Sequence, residues 1–232
     1  MNAVITGASQ GIGRAVALTL ADEPDARLAL WARTESKLED TAEACRERGA
    51  EALVQPTDVT DEDAVGRSAH EVLDQWDAPD VLVNNAGTFQ PGLLAETTTD
   101  AFREQVEVNL TSAFTVTSAF LESMQEAGRG HVFFMASVAS IKGYPNGGAY
   151  GPAKHGLLGL ARTLREETKE TGLRVTALLP GATYTPSWQQ SDLPAERFID
   201  PDDVAHTLRD IYHLSERAVV EEVLLRPQRG DV

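Results

Sequence analysis

The octapeptide TGASQGIG, Thr6 to Gly13, limits the possible folds more than any other stretch of the chain. It follows an apolar run, Ala3 to Thr6, and leads into an amphipathic pattern through Arg14 to Leu20, so the chain opens as strand, glycine turn and helix. Gly7, Gly11 and Gly13 have the spacing that lets a backbone turn tightly, approach a pyrophosphate and pack the helix against a sheet, with phosphates at the helix's positive end. Glycines serving only a tight turn are the simpler alternative.

The rest of the chain repeats the alternation. Short apolar runs at Leu28 to Trp31, Glu51 to Gln55, Val81 to Val83, His131 to Ala136, Arg174 to Leu179 and Val219 to Leu225 are separated by helical patterns. One of these is a long helix from about Thr99 to Glu126, another runs from about Gly148 to Thr171, and Pro201 opens a third. The expected fold is α/β: a doubly wound, parallel, seven-stranded sheet with helices on both faces and right-handed crossovers. With 232 residues and no Pro/Gly/Ser linker or internal repeat, one domain over 1–232 is expected.

The polar residues that stand out lie at strand carboxyl ends, where an open parallel sheet binds its ligand. After the second strand come Ala32, Arg33 and Thr34. This position reads the ribose of a dinucleotide, with a carboxylate for a 2′-hydroxyl and a basic group for a 2′-phosphate. With Arg33 and no carboxylate there, NADP(H) is favoured over NAD(H), although Gln10 leaves the glycine turn without a second basic group and Arg33 also suits a solvated helix start. Asp58 and Val59 follow the third strand, and Asp58 is placed to bind an adenine amino group. Either Asp58 or Asp61 also suits the N-cap of the segment from Glu62. NNAG, Asn84 to Gly87, follows the fourth strand, where two amides and a glycine can tie loops together beside a flat ring. Asn109 lies midway along an apolar helix, a costly place for an amide that nothing uses.

Tyr150 and Lys154 are spaced to share one helix face. A neighbouring ammonium favours the phenolate and lowers a tyrosine pKa toward the range where acid-base catalysis works. Ser137 ends the fifth strand and offers a hydroxyl to a substrate oxygen. Alone, Tyr-x-x-x-Lys is an ordinary helix pair. A segment from Thr183 to Ile199 brings Tyr184, Trp188 and Phe198 near the strand ends and is the expected substrate loop.

The net charge of −16 argues against nucleic acid or an anionic membrane as partner. Only Lys37, Lys142, Lys154 and Lys169 are lysines, and so acidic a surface suits a high-salt cytoplasm. Cys45, the single cysteine, gives no intrachain disulfide, and His70, His131, His155, His206 and His213 have no metal-ligand spacing. No apolar run reaches a membrane span and the start MNAVITG leaves no room for a signal peptide, so a cytoplasmic protein is expected.

TGASQGIG, NNAG, Asn109, Ser137 and YGPAK, in this order and spacing, resemble the short-chain dehydrogenase/reductase family over nearly the whole chain. The resemblance implies strand order 3-2-1-4-5-6-7 and a nicotinamide cofactor. It implies that Tyr150 is the general acid or base, that Ser137 holds the carbonyl oxygen, and that Lys154 binds the nicotinamide ribose and lowers the tyrosine pKa. Asn109 would hold a water linking Lys154 to solvent. Gly7, Ser9, Gln10, Gly11 and Ile12 would surround the pyrophosphate; Asp58 and Val59 the adenine; Asn85, Ala86 and Gly87 the adenosine side and nicotinamide; Pro180, Gly181 and Thr183 the carboxamide. The implied reaction interconverts a small ketone or aldehyde with its alcohol, in a homodimer or homotetramer. A 3-oxoacyl-carrier-protein reductase is the alternative, provided Arg129, Lys169 or Arg174 gathers into a basic patch. An NADP(H) sensor without turnover is a third reading.

Overall fold

The computed structural model describes residues 1–188 and 191–231. Its centre is a seven-stranded sheet with order β3-β2-β1-β4-β5-β6-β7, in which every neighbouring pair is parallel. The strands are β1 (Asn2–Thr6), β2 (Arg27–Ala32), β3 (Glu51–Pro56), β4 (Val81–Asn84), β5 (Gly130–Met135), β6 (Leu173–Pro180) and β7 (Glu222–Leu225). The helices are α1 (Gly11–Leu20), α2 (Glu35–Arg46), α3 (Glu62–Trp76), α4 (Thr99–Val106), α5 (Ser112–Ala127), α6 (Tyr150–Thr168) and α7 (Pro201–Tyr212).

Successive strand residues point to opposite faces, so each central strand feeds two cores. Ala3 and Ile5 of β1, Leu28 and Leu30 of β2 and Phe133 of β5 join the core under α1, α2 and α7. Val4, Ala29, Trp31, Val132 and Phe134 join the one under α3, α5 and α6. A strand buried on both faces reads as an unbroken apolar run. This is why the central strands stand out in the sequence, and the expected class and strand order hold.

Two expectations need correction, and one open alternative is resolved. β7 begins at Glu222 rather than Val219, and it lies half-exposed at the sheet edge beside β6 alone. The helix expected over 99–126 is two helices joined by a π turn, Glu107–Thr111. Of the two candidate caps for α3, Asp61 is the cap, accepting from the Ala64 amide at 3.0 Å, whereas Asp58 accepts from the Thr60 amide and hydroxyl at 3.0 and 2.8 Å. Gln189 and Gln190, in the expected substrate loop, lie outside the described residues.

Candidate active site

Two adjoining cavities open at the carboxyl ends of the strands, of about 600 and 360 Å³. Ile12, Asn85, Gly87, Thr88, Thr185 and Ser187 line both and so join them.

The larger cavity is built on the glycine turn. Gly7 adopts φ +68°, and a Cβ there would stand 2.7 Å from Asn85 Nδ2, so this position needs glycine twice over. Asn85 Nδ2 donates to the Thr6 and Gly7 carbonyls at 2.9 and 3.3 Å, tying the β4 loop to the turn as its sequence suggested. Gln10 stands at the N-cap of α1 without a side-chain capping bond, which leaves the first-turn amides for an anion. Gly7, Ser9, Gln10, Gly11, Ile12, Arg33, Thr34, Asp58, Val59, Asn85, Ala86 and Gly87, the residues expected there, all line this cavity. Burial pushes the Asp58 carboxyl up, but the two Thr60 hydrogen bonds and the Arg33 charge outweigh it and hold the pKa below its ordinary value.

Lys37 was missed in the sequence. It lines the same cavity as Arg33, and its Nζ donates to Gln10 Oε1 at 3.3 Å. The second basic group that Gln10 withholds from the glycine turn is thus supplied from the first turn of α2.

Asn109, Ser137, Tyr150 and Lys154 all line the smaller cavity, with Pro180, Gly181 and Thr183. Tyr150 opens α6, whose buried stripe continues through Ala153, Lys154, Leu157, Leu158, Ala161 and Leu164. Lys154 is buried because it occupies a core position on that stripe. Its Nζ donates to the Met135 carbonyl at the end of β5, at 2.8 Å, and burial lowers its pKa to about 8. Ser137 caps a short 3₁₀ turn, Val138–Ser140, accepting from the Ala139 amide at 3.1 Å while Ser140 Oγ accepts from the Ser137 amide at 3.2 Å. This capping box fixes the Ser137 hydroxyl at the cavity wall.

The electrostatics of Tyr150 differ from the expectation. Burial of the phenol end pushes its pKa up to about 12, with the Ser137 hydrogen bond pulling the other way and Tyr144 adding to the rise. The Lys154 ammonium lies 5.7 Å from the ring centroid and is bonded to Met135, so its charge does not offset the desolvation.

The Asn109 side chain bonds within the protein. Its Nδ2 donates to the Thr88 and Gln105 carbonyls at 3.0 and 3.1 Å, and its Oδ1 accepts from the Thr88 amide at 3.3 Å. The π turn points this amide at the β4 loop. A Cβ on Gly87 would stand 2.7 Å from Asn109 Oδ1, so a side chain there would displace the Asn109 amide.

The apolar wall combines expected and unexpected residues. Trp188 lines the smaller cavity; Tyr184 and Phe198 instead pack behind it, with Phe198 5.2 Å from the Trp188 ring. Phe89, which no sequence pattern marks, meets Tyr150 edge-on at 5.0 Å and stacks beside Trp188 at 6.4 Å. Lys142 and Asp231 close the rim as an ion pair 3.6 Å apart. Among the described residues no cluster of side chains fits a metal ion, and no helix is long and apolar enough to cross a membrane.

Comparison with known proteins agrees with this geometry. The chain is 36% identical to a sepiapterin reductase of Chlorobaculum tepidum over 236 aligned positions, covering 99% of this chain and 97% of the relative. It is 30% identical to a 3-oxoacyl-[acyl-carrier-protein] reductase of Synechocystis, covering 89% and 87%. The crystal structure of an alcohol dehydrogenase from the archaeon Thermococcus sibiricus, complexed with 5-hydroxy-NADP, superposes with a TM-score of 0.92 at 34% identity, covering 100% of this chain and 98% of the other. The short chain dehydrogenase profile matches residues 1–195, and with these likenesses it shows that the chain is an oxidoreductase of the short-chain dehydrogenase/reductase family.

Proposed function

We propose that the protein is an NADP(H)-dependent reductase of small ketones or aldehydes, with NAD(H) as the weaker cofactor. One observation carries this reading: Ser137, Tyr150, Lys154 and Asn109 meet in one cavity that opens directly into a second, lined by a glycine turn and two basic side chains. The cavity fits the cofactor by its donor set, since the uncapped α1 amides suit the pyrophosphate, and Arg33 with Lys37 suits a 2′-phosphate. Dinucleotide, when bound, supplies the hydride.

The chain's own residues place the carbonyl and move the proton. The Ser137 and Tyr150 hydroxyls hold the carbonyl oxygen from one side. With its pKa raised, Tyr150 is protonated at neutral pH, the form a proton donor for reduction needs. Lys154 keeps positive charge beside the phenol and is placed to hold the cofactor ribose. Phe89 and Trp188 exclude water from the reacting carbon. The whole chain serves as one dinucleotide-binding domain, with 183–199 as substrate segment. Assembly into a homodimer or homotetramer through α5 is supported by Phe114, which is 57% exposed there.

The carrier-protein reading has less support. Arg129 pairs with Asp80, Lys169 with Glu166, and Arg174 donates to the Tyr212 and Leu214 carbonyls. Arg129 and Arg174 also flank the amino ends of β5 and β6, across the sheet from the cavities. An acidic carrier delivering substrate to the strand carboxyl ends meets no basic patch from them.

The test is NADPH and NADH oxidation against small ketones, aldehydes, diketones and a 3-oxoacyl thioester. Turnover favouring NADPH and a simple carbonyl supports the proposal; preference for the thioester moves the reading to the alternative. Tight NADPH binding without turnover across the panel identifies a sensor.

A further inference from the structure

Helix α4 has one buried residue, and it is polar: Gln105, 2% exposed. Burying a carboxamide costs free energy unless its hydrogen bonds are satisfied, and a helix normally buries its apolar side chains first. Both ends of this amide are in use. Gln105 Nε2 donates to Thr88 Oγ1 at 3.0 Å, while Oε1 accepts from Asn109 Nδ2 at 3.4 Å. Its main-chain carbonyl accepts from the same Asn109 Nδ2 at 3.1 Å. Thr88 is therefore gripped at three atoms. Its amide and carbonyl are held by Asn109, and its hydroxyl by Gln105.

Thr88 and Gly87 line both cavities, at the passage between them. Ala101, Phe102 and Val106 of α4 are only half-buried, so these hydrogen bonds, more than apolar packing, set how the helix and its π turn sit against the loop after β4. We infer that Gln105 is a positioning residue. It acts through Thr88 and Asn109 to fix the Gly87–Thr88 wall against which the reacting ring and the carbonyl are aligned. This role rests on the reductase reading above, because it assigns that wall to the junction of cofactor and substrate. Misplacing it slows the chemical step more than it weakens cofactor binding, since most dinucleotide contacts lie along the larger cavity.

Gln105→Met preserves length and volume while removing both hydrogen bonds. Gln105→Glu keeps an acceptor for Asn109 and a partner for the Thr88 hydroxyl. In cofactor-free protein, deuterium exchange at the Thr88 amide is expected to quicken roughly tenfold in the methionine variant and to stay within about twofold of wild type in the glutamate variant. With NADPH and the best carbonyl, kcat is expected to fall roughly tenfold in the methionine variant, with KM for NADPH within about twofold, and to recover in the glutamate variant. Wild-type exchange and kcat in Gln105→Met overturn the inference. So does a loss that Gln105→Glu shares in full, or one spread equally over kcat and KM, because either marks a packing role. If wild-type protein reduces no carbonyl, the reductase reading fails by that result, and Thr88 exchange alone decides whether Gln105 holds the wall.

Discussion

In the proposed reaction Tyr150 is the proton donor, and removing its hydroxyl is expected to separate catalysis from binding. Tyr150→Phe keeps the ring that meets Phe89 edge-on and deletes only the proton donor. Turnover is expected to drop by roughly three orders of magnitude, with the NADPH dissociation constant unchanged within about threefold. Steady-state rates together with NADPH fluorescence titration measure both, and a variant that turns over like wild type removes Tyr150 from the mechanism. The basic end of the larger cavity gives a second residue-scale prediction. Lys37, held over the turn by Gln10, faces the same space as Arg33. Lys37→Met is expected to weaken NADPH by roughly tenfold and to leave NADH within about twofold, because the 2′-phosphate beside Arg33 and Lys37 is the anion that NADH lacks. Equal losses for the two cofactors place Lys37 elsewhere. Arg33 stood out in the sequence because it directly follows the second strand, and the structure places it on the wall of the larger cavity. Lys37 did not stand out, because its meeting with Gln10 joins residues 27 apart across the sheet end, and no local pattern encodes it.

At the scale of elements, what the sequence disclosed follows from what each element buries. Central strands are enclosed on both faces and appear as apolar runs; β7, with one neighbour and a half-exposed pattern, has an apolar approach through Val219 and Val220 that blurs its start. The apolar spacing from Thr99 to Glu126 suggested one helix, because a π turn changes the backbone without changing the composition. The turn at Glu107–Thr111 becomes visible only once Asn109 has Thr88 to hold, a tertiary contact. In the same way, Tyr150 and Lys154 were legible as neighbours, but the fate of the lysine charge depended on Met135, on another strand. The β5–β6 seam carries a testable group of its own. His131 is fully buried, with Nε2 2.7 Å from Thr176 Oγ1, and that hydroxyl donates to the Val220 carbonyl at 2.6 Å. The ring is therefore the Nε2–H tautomer, and burial, helped by the Arg174 charge, depresses its pKa to about 2. An unfolded histidine titrates near 6.5, so below that pH the unfolded chain binds a proton that the folded chain refuses. The stability present above about pH 6.5 is lost as pH falls, by up to about 1.4 kcal/mol per pH unit. His131→Gln keeps a donor for Thr176 and does not titrate, so urea unfolding from about pH 6 to about pH 4 is expected to show a shallower pH slope than wild type. Matching slopes mean that the histidine already titrates normally in the fold.

Across the whole molecule the dominant fact is a net charge of −16 spread over a surface whose ion pairs are mostly exposed. Pairs such as Arg48 with Asp22 and Arg162 with Glu222 are worth at most about 1 kcal/mol each in water, while the unmatched carboxylates repel one another over longer distances. Salt screens both effects. Repulsion summed over many distant charges is the larger, so added salt is expected to stabilise the fold. The Debye length falls from about 30 Å at 0.01 M to about 8 Å at 0.15 M, which puts most of the change at low concentration. Thermal melts in sodium chloride are expected to show Tm rising by several degrees up to about 0.2 M and then flattening. A rise that continues in proportion to concentration has another cause, exclusion of salt from the surface, and sulfate then exceeds chloride at equal ionic strength. A Tm that falls on the first addition of salt reverses the argument, because it means that the ion pairs contribute more than the repulsion costs.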